Sequence, residues 1–265
     1  KQRLLGEARF TKALSYFNLV RFFGGVPLHT EHTQSLDNVN KPRAPVDSVY
    51  NLIINDLKSA ESDLLPPSST DPGRASTTAA TSLLAKVYLT REDWSLAAEE
   101  AKQVIDSGHH RLLENFRDIF RPETEVNDET IFAIRHKSGS GGRSYEQRLI
   151  LPRGTVPGVT GWGADVPRPD FHDTFADDDS RKSATFFTEL ASPTTGEVVS
   201  FRPHWFKFVD MGHLQSPADA DTDYPVLRYA DVLLMYAEAA NEANGGPTAQ
   251  AYDAINRVRE RAYGS

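Results

Sequence analysis

The stretch "LLAKVYLTREDWSLAAEEAKQVI" (residues 83–105) constrains the fold more than any other part of the chain. Asp93 is a good N-cap, and apolar residues repeat at helical period on both sides of it, which predicts two helices joined by a short turn. Their contact is predicted at six positions: Leu84, Ala85, Tyr88, Ala97, Ala101 and Val104. The small alanines let the helices approach closely, and the larger side chains fill the remaining gap. One such hairpin cannot bury its outer face, so several are expected to stack.

These six offsets are those of the tetratricopeptide repeat. With this pair included, helices with an apolar stripe are predicted at about 7–23, 46–64, 76–90, 93–107, 228–244 and 248–262. In the first of them Tyr16, Leu19 and Phe22 widen the stripe, so it needs more than one neighbour, and Gly24 supplies the C-terminal stop. The predicted fold class is therefore mainly α: tetratricopeptide-like hairpins in an α/α superhelix, with an irregular loop-rich region and little β structure.

The helical pattern of the sequence ends at Gly108. "ETIFAIRH" (129–136) alternates apolar and polar residues and predicts a short strand. No clear elements are predicted over 138–224, where glycines and prolines are dense but aromatic residues argue against disorder. We therefore predict a single domain (1–265) with a helical repeat half (1–110), a loop-rich and candidate ligand-facing region (111–224) and a returning helical hairpin (225–265).

Composition excludes several classes of function. The net charge of −8 and pI near 5.5 argue against nucleic-acid binding. The absence of cysteine excludes disulfides, cysteine metal sites and thiol nucleophiles. No catalytic or nucleotide-binding motif is present, so no enzyme activity and no cofactor are predicted. No apolar run is long enough to span a membrane. Because a helix follows Lys1 directly, we expect a piece of a longer precursor, with targeting signals in the removed part.

Three polar patterns have the composition of metal or structural sites. The run "DADTD" (219–223) begins like a calcium loop but lacks the glycine at position six and the glutamate at position twelve, which leaves only an irregular calcium site open. His29 and His32 have no third ligand nearby in sequence, so no metal site is predicted there. "DDDSRK" (177–182) is interpreted as a helix cap with an Asp–Arg pair.

Seven colinear segments resemble the SusD/RagB family of outer-membrane nutrient-binding proteins from Bacteroidetes. They cover nearly the whole chain, at 6–28, 49–66, 73–89, 127–136, 175–187, 228–242 and 254–262. The resemblance implies a lipid-anchored protein on the outer face of the outer membrane. It also implies capture of an oligosaccharide, or in some members a peptide, for a SusC-like TonB-dependent transporter, without catalysis. The chain departs from the family by lacking its N-terminal segment, with the lipid-bearing cysteine, and its C-terminal end.

A sugar presents flat C–H faces ringed by hydroxyls, so a glycan site needs an exposed aromatic ring and polar groups beside it. Trp162, between two glycines in "PGVTGWGADVPRPD", is the first candidate, with Asp165 and Arg168 as hydrogen-bonding partners. Tyr145, with Arg143 nearby, is the second.

Each candidate has a structural alternative. Trp162 could instead plug the seam between the loop region and the helices, and Trp205, the third candidate, is crowded by phenylalanines in "FRPHWFKF". Two other functions also stay open: a helical scaffold that binds only a protein or peptide, and a glycoside hydrolase.

Overall fold

The computed structural model describes residues 1–32, 35 and 39–264. Its α-helices are α1 (Gln2–Phe23), α2 (Val46–Asp63), α3 (Thr77–Thr90), α4 (Trp94–Asp106), α5 (Glu146–Ile150), α6 (Pro169–His172), α7 (Ser180–Thr185), α8 (Tyr229–Asn244) and α9 (Ala249–Tyr263). Its strands are β1 (Thr130–Ile134), β2 (Phe186–Ala191), β3 (Val198–Trp205) and β4 (Tyr224–Arg228). The mainly α fold class is confirmed. Within the described ranges, no helix combines the length and the hydropathy needed to cross a bilayer.

The chain divides into two compact units. The helical unit comprises residues 1–109 and 231–254, and the loop-rich unit comprises residues 110–230 and the chain from Ile255 onward. The predicted division of a single domain at residues 110 and 224 stays a prediction.

The helical unit is built by consecutive packing: α1 on α2, α2 on α3 and α3 on α4. All six positions predicted for the α3–α4 contact are buried, and the three alanines among them have no exposed surface. The tetratricopeptide-like hairpin is therefore confirmed. Ser76 caps α3 by accepting the N–H of Ala79. Because α3 packs on both α2 and α4, it is the central helix of these four.

The apolar face of α1 is narrower than predicted. Tyr16 is buried, but Leu19 is 40% exposed and Phe22 is 80% exposed. Gly24 ends the helix as predicted, with φ of +69° and its N–H bonded to the Val20 carbonyl. A side chain at Gly25 would come within 2.2 Å of the Ala44 carbonyl oxygen, so the chain after α1 passes close to its own backbone.

The loop-rich unit holds two small antiparallel sheets, β1–β4 and β2–β3. The predicted strand is confirmed as β1. The prediction that 138–224 lacks regular elements was wrong, because it contains the β2–β3 hairpin and three short helices. The hairpin escaped detection because a register shift between Phe187 and Glu189 breaks its alternation and Pro203 lies inside β3.

A buried carboxylate organises the core of the loop-rich unit. Glu129 is fully buried, accepts the N–H of Leu113 at 2.8 Å and pairs with Arg261 at 2.8 Å. Arg228 lies 3.6 Å from its other oxygen. Such a carboxylate is tolerated inside a protein only because both charges and hydrogen bonds offset its desolvation. The end of α9 is thereby fixed to the start of β1.

The segment "DDDSRK" has the predicted structural role. Asp179 is the N-cap of α7, where its carboxylate accepts the N–H of Arg181 and pairs with the guanidinium of the same residue. This arrangement ends the irregular chain and starts the helix that leads directly into β2.

Candidate functional site

An open cavity of about 280 Å³ lies in the loop-rich unit. It is lined by Arg143, Arg148, Thr160, Ser216, Pro217, Ala218 and Asp219. Three chain segments therefore meet here: the chain leading into α5 and its first turns, the loop before Trp162, and the loop before β4. Its volume lies at the lower end of the range for small-molecule sites, about 300–1,000 Å³.

Backbone hydrogen bonds hold the first and third of these segments together. Ser144 and Ala220 exchange N–H···O=C bonds of 3.0 and 3.4 Å, as in a short antiparallel bridge. Asp219, which lines the cavity, accepts the N–H of Gly139 at 2.9 Å. Main-chain bonds and a side-chain bond to a backbone N–H therefore fix the two walls to each other.

Two exposed aromatic rings contact the arginines of this cavity. Tyr145 is 49% exposed and Trp162 is 47% exposed. The guanidinium carbon of Arg143 lies 5.7 Å from the centre of the Tyr145 ring, and that of Arg148 lies 4.6 Å from the centre of the Trp162 ring. These are cation–π distances. Tyr145 and Trp162, the first two candidates from the sequence, therefore contact arginines that line the same cavity. Neither ring is buried in a core.

The loop that carries Trp162 is tied to the end of α5. The N–H of Trp162 donates to the Arg148 carbonyl at 2.7 Å, and those of Gly163 and Ala164 donate to the carbonyls of Leu151 and Leu149, both at 2.9 Å. Three consecutive residues of the loop thus satisfy the free carbonyls at a helix C-terminus. The ring is presented on a fixed backbone.

The glycines beside Trp162 have a steric reason. A Cβ at Gly161 would lie 2.2 Å from the Leu151 carbonyl oxygen, and Gly163 has φ of +56°. No other residue permits the first approach, and the second conformation is one that glycine adopts without cost. The sequence analysis noted that Trp162 lies between two glycines but did not identify this backbone requirement.

Of the sequence candidates only Arg143 lines the cavity itself, and Asp165, Arg168 and Trp205 are engaged elsewhere. Asp165 accepts the indole N–H of Trp205 at 3.3 Å. Arg168 forms a two-pronged pair with Asp170, at 3.0 and 2.7 Å. Each of these polar groups already has an intramolecular partner, so their role in binding stays a prediction.

Trp205 is part of an aromatic cluster. Its ring stacks on Phe186 at 5.4 Å between centres and meets Phe171 edge-on at 6.1 Å. It also packs, half-buried, against the main apolar core of the unit. This packing matches the structural alternative weighed for it.

The acidic run 219–223 organises the cavity wall. Its alternate aspartates accept N–H groups from one facing segment: Asp219 from Gly139, Asp221 from Ser138 and Asp223 from His136. Spacing by two places the three carboxylates on the same side of an extended chain. Asp221 and Asp223 also pair with Lys137 and Arg135 of that facing segment, so the run has a structural role.

One group in the described part of the chain has the ligand set and spacing for a metal ion. Oxygen and nitrogen atoms of Asp210, His213 and Asp221 lie within 4.8 Å of one another. The Asp210 carboxylate accepts the N–H groups of Gly212 and Asp221 and lies 2.6 Å from the His213 ring nitrogen. These bonds already satisfy Asp210, and the sequence interpretation did not identify the group.

A second open cavity, of about 350 Å³, contains a bridging arginine. Arg135 pairs with Glu125 at 2.6 Å and with Asp223 at 2.9 Å. Burial, followed by the charge of Asp223, raises the pKa of Glu125 to about 7, against the opposing effect of Arg135. Nothing in the local sequence "RPETEVNDE" indicated this arrangement.

Comparison with known sequences and structures places this arrangement in one class. A sequence profile described as "Starch-binding associating with outer membrane" matches residues 1–89, and one described as "SusD family" matches residues 199–263. A solved SusD superfamily protein from Parabacteroides distasonis is similar over 98% of this chain and 60% of its own, with 31% identity and a TM-score of 0.89. The chain therefore has a SusD-type fold.

Sequence relatives support the same assignment. The SusD-like protein P2 of Formosa agariphila is 31% identical over 97% of this chain and 55% of its own length. A structure solved with a xylogluco-oligosaccharide is 27% identical, covers 98% of this chain and 58% of its own, and has a TM-score of 0.84. The chain belongs to the SusD/RagB family. It spans about half the length of the curated relatives it matches.

Proposed function

We propose that this chain carries the glycan-binding site of a SusD-type protein of the outer membrane. It binds oligosaccharides at the cavity lined by Arg143 and Arg148, the arginines that contact Tyr145 and Trp162. It does not cleave them, and it delivers them to a SusC-like TonB-dependent transporter. The full-length protein is anchored by an N-terminal lipid on the outer face of the membrane.

The observation that carries this proposal is the pairing of two half-exposed rings with the arginines of one cavity. In each pair the guanidinium lies at cation–π distance from the ring, and about half of the aromatic side chain is exposed to solvent. Exposed aromatic rings on a fixed backbone are suited to stacking on the C–H faces of sugars. The xylogluco-oligosaccharide in the similar solved structure supports the same class of ligand.

The test is retention of the chain by polysaccharides cast into native gels, followed by analysis of the products. We expect at least one polysaccharide to retard the wild type, with Trp162→Ala and Tyr145→Ala migrating faster through it. Tyr252→Ala is the matched control, since Tyr252 is 56% exposed on α9 and lies outside the cavity. Release of reducing sugar would show that the chain is a hydrolase and not only a binding protein. Equal migration of all variants would refute the proposed site.

A second function, protein binding by the helical unit, is supported by the exposed end of α1. Phe22 and Phe23 are 80% and 63% exposed, and their rings lie 6.3 Å apart. Neighbouring exposed apolar side chains favour contact with a protein surface. Loss of co-purification with a transporter barrel in Phe22→Ser/Phe23→Ser, with glycan retention unchanged, would separate this function from glycan binding.

A further inference from the structure

The two arginines of the cavity differ from most others in the loop-rich unit. Arg135, Arg168 and Arg181 each pair with a carboxylate. Arg143 and Arg148, by contrast, contact aromatic rings, and among the described residues neither has an acidic partner within ion-pair distance. Two unpaired cations therefore line the same small cavity.

Arg148 is the less satisfied of the two. Its Nε atom is buried and has no hydrogen-bond partner in the described structure. A partly buried cation without a counter-charge is costly, and an anion bound next to it offsets that cost. The planar guanidinium is also the side chain best shaped to bind carboxylate or sulfate-like oxygens in pairs.

Acidic groups near the cavity offset the positive charge of Arg143 and Arg148 only in part. Asp219 is the one carboxylate in the cavity lining, and one of its oxygens accepts the N–H of Gly139. Burial, followed by the charge of Asp165, raises the pKa of Glu146, the neighbour of Tyr145 in the chain. A raised pKa favours the neutral form of that carboxyl group. The cavity lining therefore holds two cations against one carboxylate, on a chain whose net charge is −8.

We infer that this cavity binds an anionic glycan. Arg143 and Arg148 hold a carboxylate or sulfate group of the sugar chain, while Tyr145 and Trp162 contact its apolar faces. This inference rests on the proposed glycan-binding function and adds the charge of the ligand to it. Because the rest of the chain repels anions, binding of such a glycan depends on these two side chains.

Matched polysaccharide pairs test the inference. The pairs are polygalacturonate and methyl-esterified pectin, glucuronoxylan and its carboxyl-reduced form, and carrageenan and its desulfated form. The members of the first two pairs differ in their carboxylate groups, and those of the third pair differ in their sulfate groups. We expect the charged member of at least one pair to be retained about tenfold more strongly than its neutral counterpart. That preference should shrink between about 0.05 and about 0.3 M salt, because ions screen the contact.

Arginine variants show whether the preference comes from this cavity. Arg148→Gln should abolish the preference for the charged member and Arg143→Gln should weaken it, while Arg148→Lys should retain part of it. A merely structural role of Arg148 would make the Gln and Lys variants equally defective towards neutral and charged ligands. Arg259→Gln is the matched control, because Arg259 is exposed on α9 and has no acidic partner in the described structure. Thermal melts confirm that each variant is folded.

The outcomes separate the two proposals. Charge preference that depends on Arg143 and Arg148 supports the inference. Retention of neutral glycans at equal or greater strength, with the arginine variants unchanged, overturns the inference and leaves the proposed function standing. If no polysaccharide of either kind retards the wild type, both are refuted.

Discussion

Arg148 contacts Trp162 twice: its guanidinium carbon lies 4.6 Å from the centre of the indole ring, and its carbonyl accepts the Trp162 N–H at 2.7 Å. One residue therefore fixes both the backbone and the ring of the principal candidate. The orientation of the ring is set before any ligand arrives, which lowers the entropy cost of binding.

Trp162→Ala is expected to weaken binding of a retained oligosaccharide by about tenfold, which corresponds to roughly 1.4 kcal/mol. Trp162→Phe should lose less, because a smaller ring still stacks. Since about half of the side chain is exposed, the melting temperature should change little in either variant. Calorimetric titration and thermal melts measure the two effects, and an unchanged affinity in Trp162→Ala would exclude the ring from the site.

Gly161→Ala is expected to damage the site without touching a ligand-facing group. The new Cβ would meet the Leu151 carbonyl oxygen at 2.2 Å, so the loop must move away from the end of α5. We expect a loss of about 1–3 kcal/mol in the free energy of unfolding and weaker glycan retention. Gly246→Ala is the control, because a Cβ there meets nothing within 4 Å. Equal stability of the two variants in urea would contradict the close approach.

Glu129→Gln is expected to lower the free energy of unfolding by about 3–5 kcal/mol. The substitution removes the charge that faces Arg261, whose side chain is only 5% exposed, and leaves a buried guanidinium uncompensated. Asp128→Asn breaks the neighbouring but exposed pair with Arg111 and should cost less than about 1 kcal/mol. Urea unfolding measures both, and a similar small cost for both would show that the Glu129 site is hydrated.

Glu100 gives the helical unit a pH-dependent stability. Burial, followed by the charges of Glu61 and Glu99, raises the pKa of Glu100 from 4.5 to about 7. The folded chain then holds a proton that the unfolded chain has released, so the free energy of unfolding falls as pH rises between these values.

Glu100→Gln, which stays neutral, should therefore be more stable than the wild type above pH 7 by about 1 kcal/mol, a figure reduced for solvent screening. The difference should vanish near pH 4.5, the ordinary pKa of this carboxyl group. Thermal melts across this range measure it. Glu99→Gln makes the same change in net charge at an exposed position, and an identical pH profile in both variants would argue against burial as the cause.

The helical unit was predictable from sequence because its information is local. Helical periodicity gave all four of its first helices to within a few residues, except that α1 begins at Gln2, about one turn earlier than predicted. The alanines at 85, 97 and 101 indicated a close helix crossing because large side chains would keep the two helices apart. Burial of Leu19 and Phe22 was not decided by periodicity, since it depends on what lies beside α1.

The site was predictable only in part. Composition singled out Tyr145 and Trp162, because exposed aromatic residues beside glycines stand out in a polar loop. The pairing of Arg148 with Trp162 joins residues 14 positions apart across a turn that no local pattern specifies. Asp165 and Arg168 were chosen by proximity in sequence, and the structure gives both of them intramolecular partners.

The hydrogen bond from Gly139 to Asp219 has a practical consequence for engineering. A residue that faces the cavity also anchors a second loop, and Ser144 and Ala220 join the same two segments. Residues 136–148 and 214–223 would therefore have to be transplanted together into a homologous scaffold. A graft of either loop alone would leave unmatched backbone donors at the recipient's rim.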